Sequence, residues 1–245
     1  ARLLVLPAWL ECPAEFADRL AIRIDPGNAF GTGSHPTTRL CLEGLERWAE
    51  QGQNGGDRGQ SRPVRVADLG CGSGILALGA LKLLSAADAP GGGPSSDRHA
   101  ACQVYAVDSD PLAVRATLAN AHCNGFGPAE DGPTPVPLAS ALAPQAALMG
   151  PLQVAQGSVS ELAALLAGQP ADLLLCNILA PVIEALAPAF ASVLAPDGVG
   201  LLSGLLVSQV PGLSQALAAA GWRATLVAQE SQWGLLKIRS GAAVA

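Results

Sequence analysis

The 245 residues contain no Cys-x-x-Cys pair, no regular cysteine spacing, no excess of cations and no apolar run long enough to cross a bilayer. Each absence excludes a class of protein. The six cysteines, at 12, 41, 71, 102, 123 and 176, outline neither a zinc site nor a disulfide framework. They are expected as reduced, mostly buried thiols of a cytoplasmic protein. Histidine is scarce, and neither His99 nor His122 has metal partners at ligand spacing. Fourteen Lys plus Arg against twenty Asp plus Glu give a net charge of −6, so the chain as a whole has no electrostatic footprint for nucleic acid or an anionic membrane. The most apolar stretches, 75–81 and 201–207, fall far short of the roughly 20 residues that span a bilayer, and no signal peptide precedes them. Only 14% of residues are charged and 4% aromatic, but half are hydrophobic, so the chain folds despite 28 glycines and 19 prolines. It begins Ala1-Arg2-Leu3-Leu4-Val5, in an apolar β-like run without methionine, which fits a fragment.

The length predicts one large α/β domain, or one with a small appendage. Short apolar runs at 64–68, 103–108, 152–155, 172–176, 199–203, 223–228 and 234–239 alternate with helical patterns at 37–49, 75–85, 111–123, 161–167, 181–194 and 213–220. That alternation predicts βαβ units around a mostly parallel, doubly wound sheet of seven strands. Asp110-Pro111 supplies a cap and an N1 proline, Gly125 follows the same helix, and Ser158-x-x-Glu161 reads as a capping box. Only 229–233 separate the last two strands, too few for a crossover, so that pair is expected to be antiparallel. Trp222 and Trp233 are expected to pack this terminal hairpin against a helix. Segments 51–62, 86–100 and 126–150 read as loops, the last two as insertions.

The strongest chemical signal is the run Val64-Arg65-Val66-Ala67-Asp68-Leu69-Gly70-Cys71-Gly72-Ser73-Gly74-Ile75, a strand entering three alternate glycines and then a helix. A backbone turning this tightly lets a ligand approach where a Cβ would stand in the way. Asp108, 38 residues after Gly70 and at the end of the following strand, suits the two hydroxyls of a ribose. A nicotinamide dinucleotide and S-adenosylmethionine both carry one. Dinucleotide sites favour G-x-G-x-x-G, whereas these glycines alternate as G-x-G-x-G behind Asp68. A carboxylate would repel a pyrophosphate but help hold the ammonium of a methionine moiety, directly or through water, so the spacing favours S-adenosylmethionine. Asn177, after the apolar run 172–176, falls at the carboxyl edge of a central strand, where open α/β sheets bind ligands. Its amide oxygen suits an amine nucleophile.

Upstream, Asp25-Pro26-Gly27-Asn28-Ala29-Phe30-Gly31-Thr32-Gly33-Ser34-His35-Pro36-Thr37-Thr38 reads as a turn-rich loop, with the Ser34 or Thr37 hydroxyl placed to cap the next helix. His35 is a formal candidate for a general base, but the favoured reading is that it holds the loop by hydrogen bonds. This segment closely resembles the D-P-G-x-A-F-G-T-G-x-H-P-T-T segment of the bacterial methyltransferases that modify large-subunit ribosomal protein L11, the PrmA family. The resemblance continues through 68–75, through Val107-Asp108-Ser109-Asp110-Pro111 and through Cys176-Asn177-Ile178-Leu179-Ala180, with 86–100 and 126–150 as departures.

What the resemblance implies is a seven-stranded class I methyltransferase fold binding S-adenosylmethionine at Thr38, Gly70, Gly72, Asp108 and Asn177, with Asn177 beside the transferred methyl. The implied reaction is methylation of amine groups, lysine side chains or the N-terminus, of a basic ribosomal protein, by a monomer that needs neither nucleic acid nor membrane. Residues 1–24 are expected to be a linker or N-terminal remnant and 25–245 the methyltransferase domain, the family's N-terminal recognition domain being absent. Ile178 and Leu179 stand where enzymes acting on nucleobases carry stacking residues, which disfavours a nucleobase acceptor. Three alternatives stay open: a relative acting on another protein lysine or a small molecule, a nicotinamide-dependent oxidoreductase, and a non-catalytic cofactor-binding module.

Overall fold

The computed structural model describes residues 2–25, 33–54, 62–85, 102–126 and 147–241. The insertion 86–100 lies outside them, as does most of 126–150. The chain opens with β1 (Leu3–Pro7) and β2 (Leu20–Ile24), paired in parallel, and continues through α1 (Pro36–Asn54), β3 (Val64–Leu69), α2 (Ile75–Ser85), β4 (Cys102–Asp108) and α3 (Pro111–Cys123). A short β5 (Ala147–Met149) precedes β6 (Leu152–Gln156), α4 (Val159–Leu166), β7 (Ala171–Asn177), α5 (Ala180–Leu186), β8 (Leu194–Leu206), α6 (Val210–Ala219), β9 (Trp222–Glu230) and β10 (Trp233–Ser240). The main sheet has the order β5-β6-β4-β3-β7-β8-β10-β9. Its inner pairs, from β6 to β8, are parallel, and β10 is antiparallel to both β8 and β9.

All seven expected strands are present, and the fold is the doubly wound α/β class. β5 is an eighth strand, antiparallel on the edge of β6 and inside a segment expected to be loop. Three apolar residues carry too short a period-2 signal to separate from their surroundings. Helix α1 runs past 49 to Asn54, taking in the start of the 51–62 loop. The expected helix 181–194 divides at Ala187 into α5 and a 3-10 turn, Ala187–Ser192, and the chain from Leu194 already belongs to β8.

Alternation along the strands builds two cores. Val66, Val104, Leu173, Leu175, Leu201 and Leu235 face α1, α2 and α3, while Ala67, Tyr105, Leu174, Cys176, Leu202 and Leu236 face α4, α5 and α6. Near-continuous apolar strands are the mark of a sheet covered on both sides. Residues 2–24 add to the first core through Leu3, Ile22 and Ile24, and Glu46 of α1 fastens β1 by accepting the N–H groups of Arg2 and Leu3, both at 2.7 Å. On the second face Trp222 lies 6.3 Å from Phe190 and donates its indole N–H to Ala187 O at 2.9 Å, locking β9 onto the 3-10 turn.

Candidate functional site

Strand order reverses at β3: the chain steps outward through β4 and β6, then returns to place β7 and β8 on the other side. In doubly wound sheets ligands bind outside the carboxyl ends of the strands at such a switch point. Here those ends deliver Leu69-Gly70 from β3, Asp108 from β4 and Asn177 from β7.

The glycine turn is built by backbone geometry that residues with a Cβ rarely adopt. Gly70, Gly72 and Gly74 have φ of +78°, +56° and +80°. A Cβ on Gly70 would stand 2.4 Å from Ile178 Cγ2, so the turn and the segment after Asn177 approach across the switch point only because Gly70 has no side chain. Gly70 and Cys71 both donate to Val107 O, at 2.9 and 3.0 Å, which seats the turn on β4.

Asp108 is half-buried beside this turn, accepting the Gly72 N–H on Oδ2 and the Asp110 N–H on Oδ1, each at 2.9 Å. Each oxygen keeps a lone pair for further donors. Asp110 caps α3 as expected, taking the Leu112 N–H at 2.8 Å. Asp68, on β3, turns toward the first turn of α2. It is fully buried, its Oδ2 accepts the Ala77 N–H at 3.0 Å, and its Oδ1 has no hydrogen-bond partner among the described residues. Burial pushes its carboxyl up to about 7, against the pull of the Ala77 N–H and with a further push from the Asp108 charge. Two carboxyl groups beside one turn, one of them with an orphaned oxygen, form an acceptor set complementary to a cationic ligand. Burial likewise raises the thiols of Cys41, Cys71 and Cys176, which stay protonated at neutral pH and offer no thiolate.

Asn177 is half-buried at the end of β7, and its Nδ2 lies 3.5 Å from Thr38 Oγ1, a long contact that brings the first turn of α1 to the β7 edge. Thr38 is fully buried, whereas Leu179, two residues beyond Asn177, is 66% exposed. Thr38, Gly70, Gly72, Asp108 and Asn177 thus gather on one edge. Of the upstream loop, residues 26–32 lie outside the described residues. His35 holds the start of α1: Nδ1 lies 2.8 Å from Thr37 Oγ1 and 3.4 Å from the Thr37 N–H, and the ring packs edge-on to Trp233 at 4.8 Å. The imidazole and the Thr37 hydroxyl thus meet at this helix start. Arg39 adds an ion pair to Glu230 and a hydrogen bond to Ser34 O, so the terminal hairpin braces the beginning of α1.

Sequence reasoning missed the supports on α3. The Thr117 hydroxyl donates to Gly72 O at 3.1 Å, and Asn120 Nδ2 donates to Ser73 O at 2.9 Å. Polar residues at 117, 120 and 124 of an otherwise apolar helix face are the available signal, since a buried polar side chain needs a partner. A separate cavity of about 240 Å³, lined by Arg47, Trp48, Lys237 and Arg239 among others, lies under the C-terminal half of α1, away from this edge.

The family model for ribosomal protein L11 methyltransferase (PrmA) matches residues 1–92 and 95–240. A curated protein of that name from Synechococcus sp. (strain RCC307) is 50% identical over 238 residues, 97% of this chain and 63% of its own length. Another, from Parasynechococcus marenigrum (strain WH8102), is 49% identical over 237 residues, 97% of this chain and 65% of its own length. The chain therefore spans just under two thirds of the curated relatives it matches. A crystal structure of ribosomal protein L11 methylase from Lactobacillus delbrueckii subsp. bulgaricus aligns with a TM-score of 0.68 at 29% identity, over 98% of this chain and 96% of that one. A SAM-dependent methyltransferase from Agrobacterium tumefaciens, 11% identical with a TM-score of 0.53 over 86% of this chain and 64% of that one, shares the fold. With the family match running through β1 to β10, and the glycine turn, Asp108 and Asn177 gathered at its switch point, the chain belongs to the ribosomal protein L11 methyltransferase (PrmA) family.

Proposed function

We propose that this chain is the catalytic part of an S-adenosylmethionine-dependent protein methyltransferase, cytoplasmic and monomeric, whose acceptors are amine groups, lysine side chains or the N-terminus, of large-subunit ribosomal protein L11. The observation that carries the reading is the pair of carboxylates around the glycine turn. Asp108 has lone pairs beyond its own backbone contacts, and Asp68 holds a buried oxygen with no donor among the described residues. When bound there, S-adenosylmethionine supplies a methyl group on a sulfonium, a good leaving group.

The chain's own residues then do five things. Asp108 accepts the ribose hydroxyls, and Gly70 and Gly72 give the backbone room for close approach. Asp68, whose carboxyl burial raises to about 7, places negative charge under the turn when ionised, which favours a cation over a phosphate. Thr38 closes the site from the first turn of α1. Asn177, its Nδ2 turned to Thr38, keeps Oδ1 as an acceptor for an N–H of the attacking amine and so orients the nitrogen lone pair. A lysine ammonium, with an ordinary pKa of about 10.4, must reach the site deprotonated. The net charge of −6 favours encounter with a basic protein over RNA. Among the described residues no helix is long and apolar enough to cross a membrane.

Calorimetric titration with S-adenosylmethionine and with NAD in one buffer tests the cofactor, and transfer of labelled methyl to purified ribosomal protein tests the acceptor. Micromolar binding of the first cofactor alone, with label entering the protein, is the expected result. Binding of NAD alone would overturn the reading.

A further inference from the structure

β2 offers its backbone to two sides. On one, Ile24 O accepts the Ala8 N–H at 2.9 Å and the Leu20 N–H reaches Arg2 O at 2.8 Å, so the even-numbered residues bond toward β1. The odd-numbered residues at its carboxyl end, Arg23 and Asp25, turn their N–H and C=O groups the other way, toward α3. Among the described residues no strand lies there. Asn124 Oδ1 accepts the Arg23 N–H at 2.9 Å while its Nδ2 donates to Arg23 O at 2.6 Å. Asn120 repeats the pattern one step on, its Oδ1 accepting the Asp25 N–H at 2.8 Å and its Nδ2 reaching Asp25 O at 3.5 Å. Each carboxamide closes on one residue the N–H and C=O couple that a neighbouring strand would close. The spacing permits it: four residues of helix rise about 6 Å and two residues of strand about 6.6 Å, so side chains at i and i+4 stay level with alternate strand residues.

The two asparagines differ in their remaining hydrogen bond. Asn124 Nδ2 also donates to Asn120 O at 2.8 Å, within its own helix, whereas Asn120 Nδ2 also donates to Ser73 O at 2.9 Å, inside the glycine turn. Asn120 is 1% exposed and uses both ends of its amide. We propose that Asn120 is a positioning residue for the cofactor site: one carboxamide ties the backbone of Asp25, just past β2, to Ser73 O and so holds the glycine turn beside Asp108 from α3. Asn124 performs the strand-like half of this task without touching the turn, which makes it the internal control. The cofactor arm of the test rests on the function proposed above; the exchange arm does not.

The experiment compares wild type, Asn120→Ala and Asn124→Ala by amide hydrogen exchange without ligand and by calorimetric titration with S-adenosylmethionine. Both variants should lose protection at 21–25 and melt earlier. Only Asn120→Ala should also lose protection at 70–76 and raise the S-adenosylmethionine Kd at least tenfold, with Asn124→Ala within about twofold of wild type. Asn120→Asp, which keeps an acceptor for the Asp25 N–H but loses the donor to Ser73 O, should open 70–76 while sparing the Asp25 contact, and it serves if the alanine variant does not fold. Wild-type exchange at 70–76 in the Asn120 variants, or equal changes in Asn120→Ala and Asn124→Ala, would overturn the proposal. Failure of wild type to bind S-adenosylmethionine would overturn the cofactor assignment instead, and the exchange data would still decide the role of Asn120.

Discussion

Asp68→Asn should flatten the pH dependence of folding stability. The carboxyl is raised by burial from 3.8 to about 7. A folded-state pKa above the unfolded one means that the native state prefers the protonated form. The associated stability is fully present below pH 3.8 and is lost as pH rises through 7. Three pKa units at about 1.4 kcal/mol each make the cost of ionising Asp68 on the order of 4 kcal/mol. An asparagine keeps an oxygen for the Ala77 N–H and carries no charge; its NH2 facing the place of the orphaned oxygen adds a penalty that does not vary with pH. The informative quantity is therefore the slope. Urea unfolding of both proteins at pH 5, 6, 7 and 8 should show the wild type losing stability relative to the variant by about 1 kcal/mol per pH unit up to pH 7 and little beyond pH 8. Parallel curves would refute the assignment of a buried, partly unsatisfied carboxylate, and with it the argument that this side of the turn calls for a cation.

Asp108→Ala should raise the Kd for S-adenosylmethionine tenfold or more, about 1.4 kcal/mol, with the fold retained by circular dichroism; unchanged affinity would remove Asp108 from the ribose. Asn177→Ala should lower kcat of methyl transfer at least a hundredfold at saturating S-adenosylmethionine, because its proposed work includes the acceptor amine; an effect confined to the S-adenosylmethionine Kd would leave it a cofactor-binding residue alone. Gly204 has φ +82°, and a Cβ there would stand 2.3 Å from Ile178 O, so Gly204→Ala should cost more than about 2 kcal/mol in urea unfolding, and a loss below about 0.5 would contradict the geometry. Trp222→Phe removes the donor to Ala187 O at 2.9 Å inside the second core and should cost about 1–3 kcal/mol by the same assay.

The layers of this fold were legible because the inner strands are apolar on both faces and the helices carry their own punctuation. Asp110 does cap α3, Glu161 does accept the Ser158 N–H at 2.8 Å, and Gly125 does follow α3 with φ +80°. What failed was local in scale. β5 is too short to show a period, and Ala187-Pro188 interrupts a helical pattern whose apolar residues continue into β8. The gathering of Asp108, Gly72 and Asn177 on one edge followed from strand ends alone. The burial of Asp68 did not, because sequence position says which strand a carboxylate ends but not whether it turns toward solvent or toward the first turn of a helix. Asn120 and Asn124 stand out as polar positions on an apolar helix face, but what they hold was not legible: their partners are backbone groups of β2, Asp25 and the glycine turn, which carry no residue-type signature.

The position of β10 between β8 and β9 has a consequence for how the chain is made. Synthesis proceeds from the N-terminus, so β9 leaves the ribosome before the strand that joins it to the sheet. Until β10 follows, β8 remains an open edge and β9 has nowhere to pair. A stop codon after Gln232 would therefore cost the sheet two strands, not one, and would also leave His35 without the Trp233 ring. The beginning of α1, where Thr38 sits, is fastened by residues translated nearly two hundred codons later. A nascent chain holding the glycine turn, Asp108 and Asn177 still lacks this brace, and the last dozen residues of the sheet determine when the site is complete.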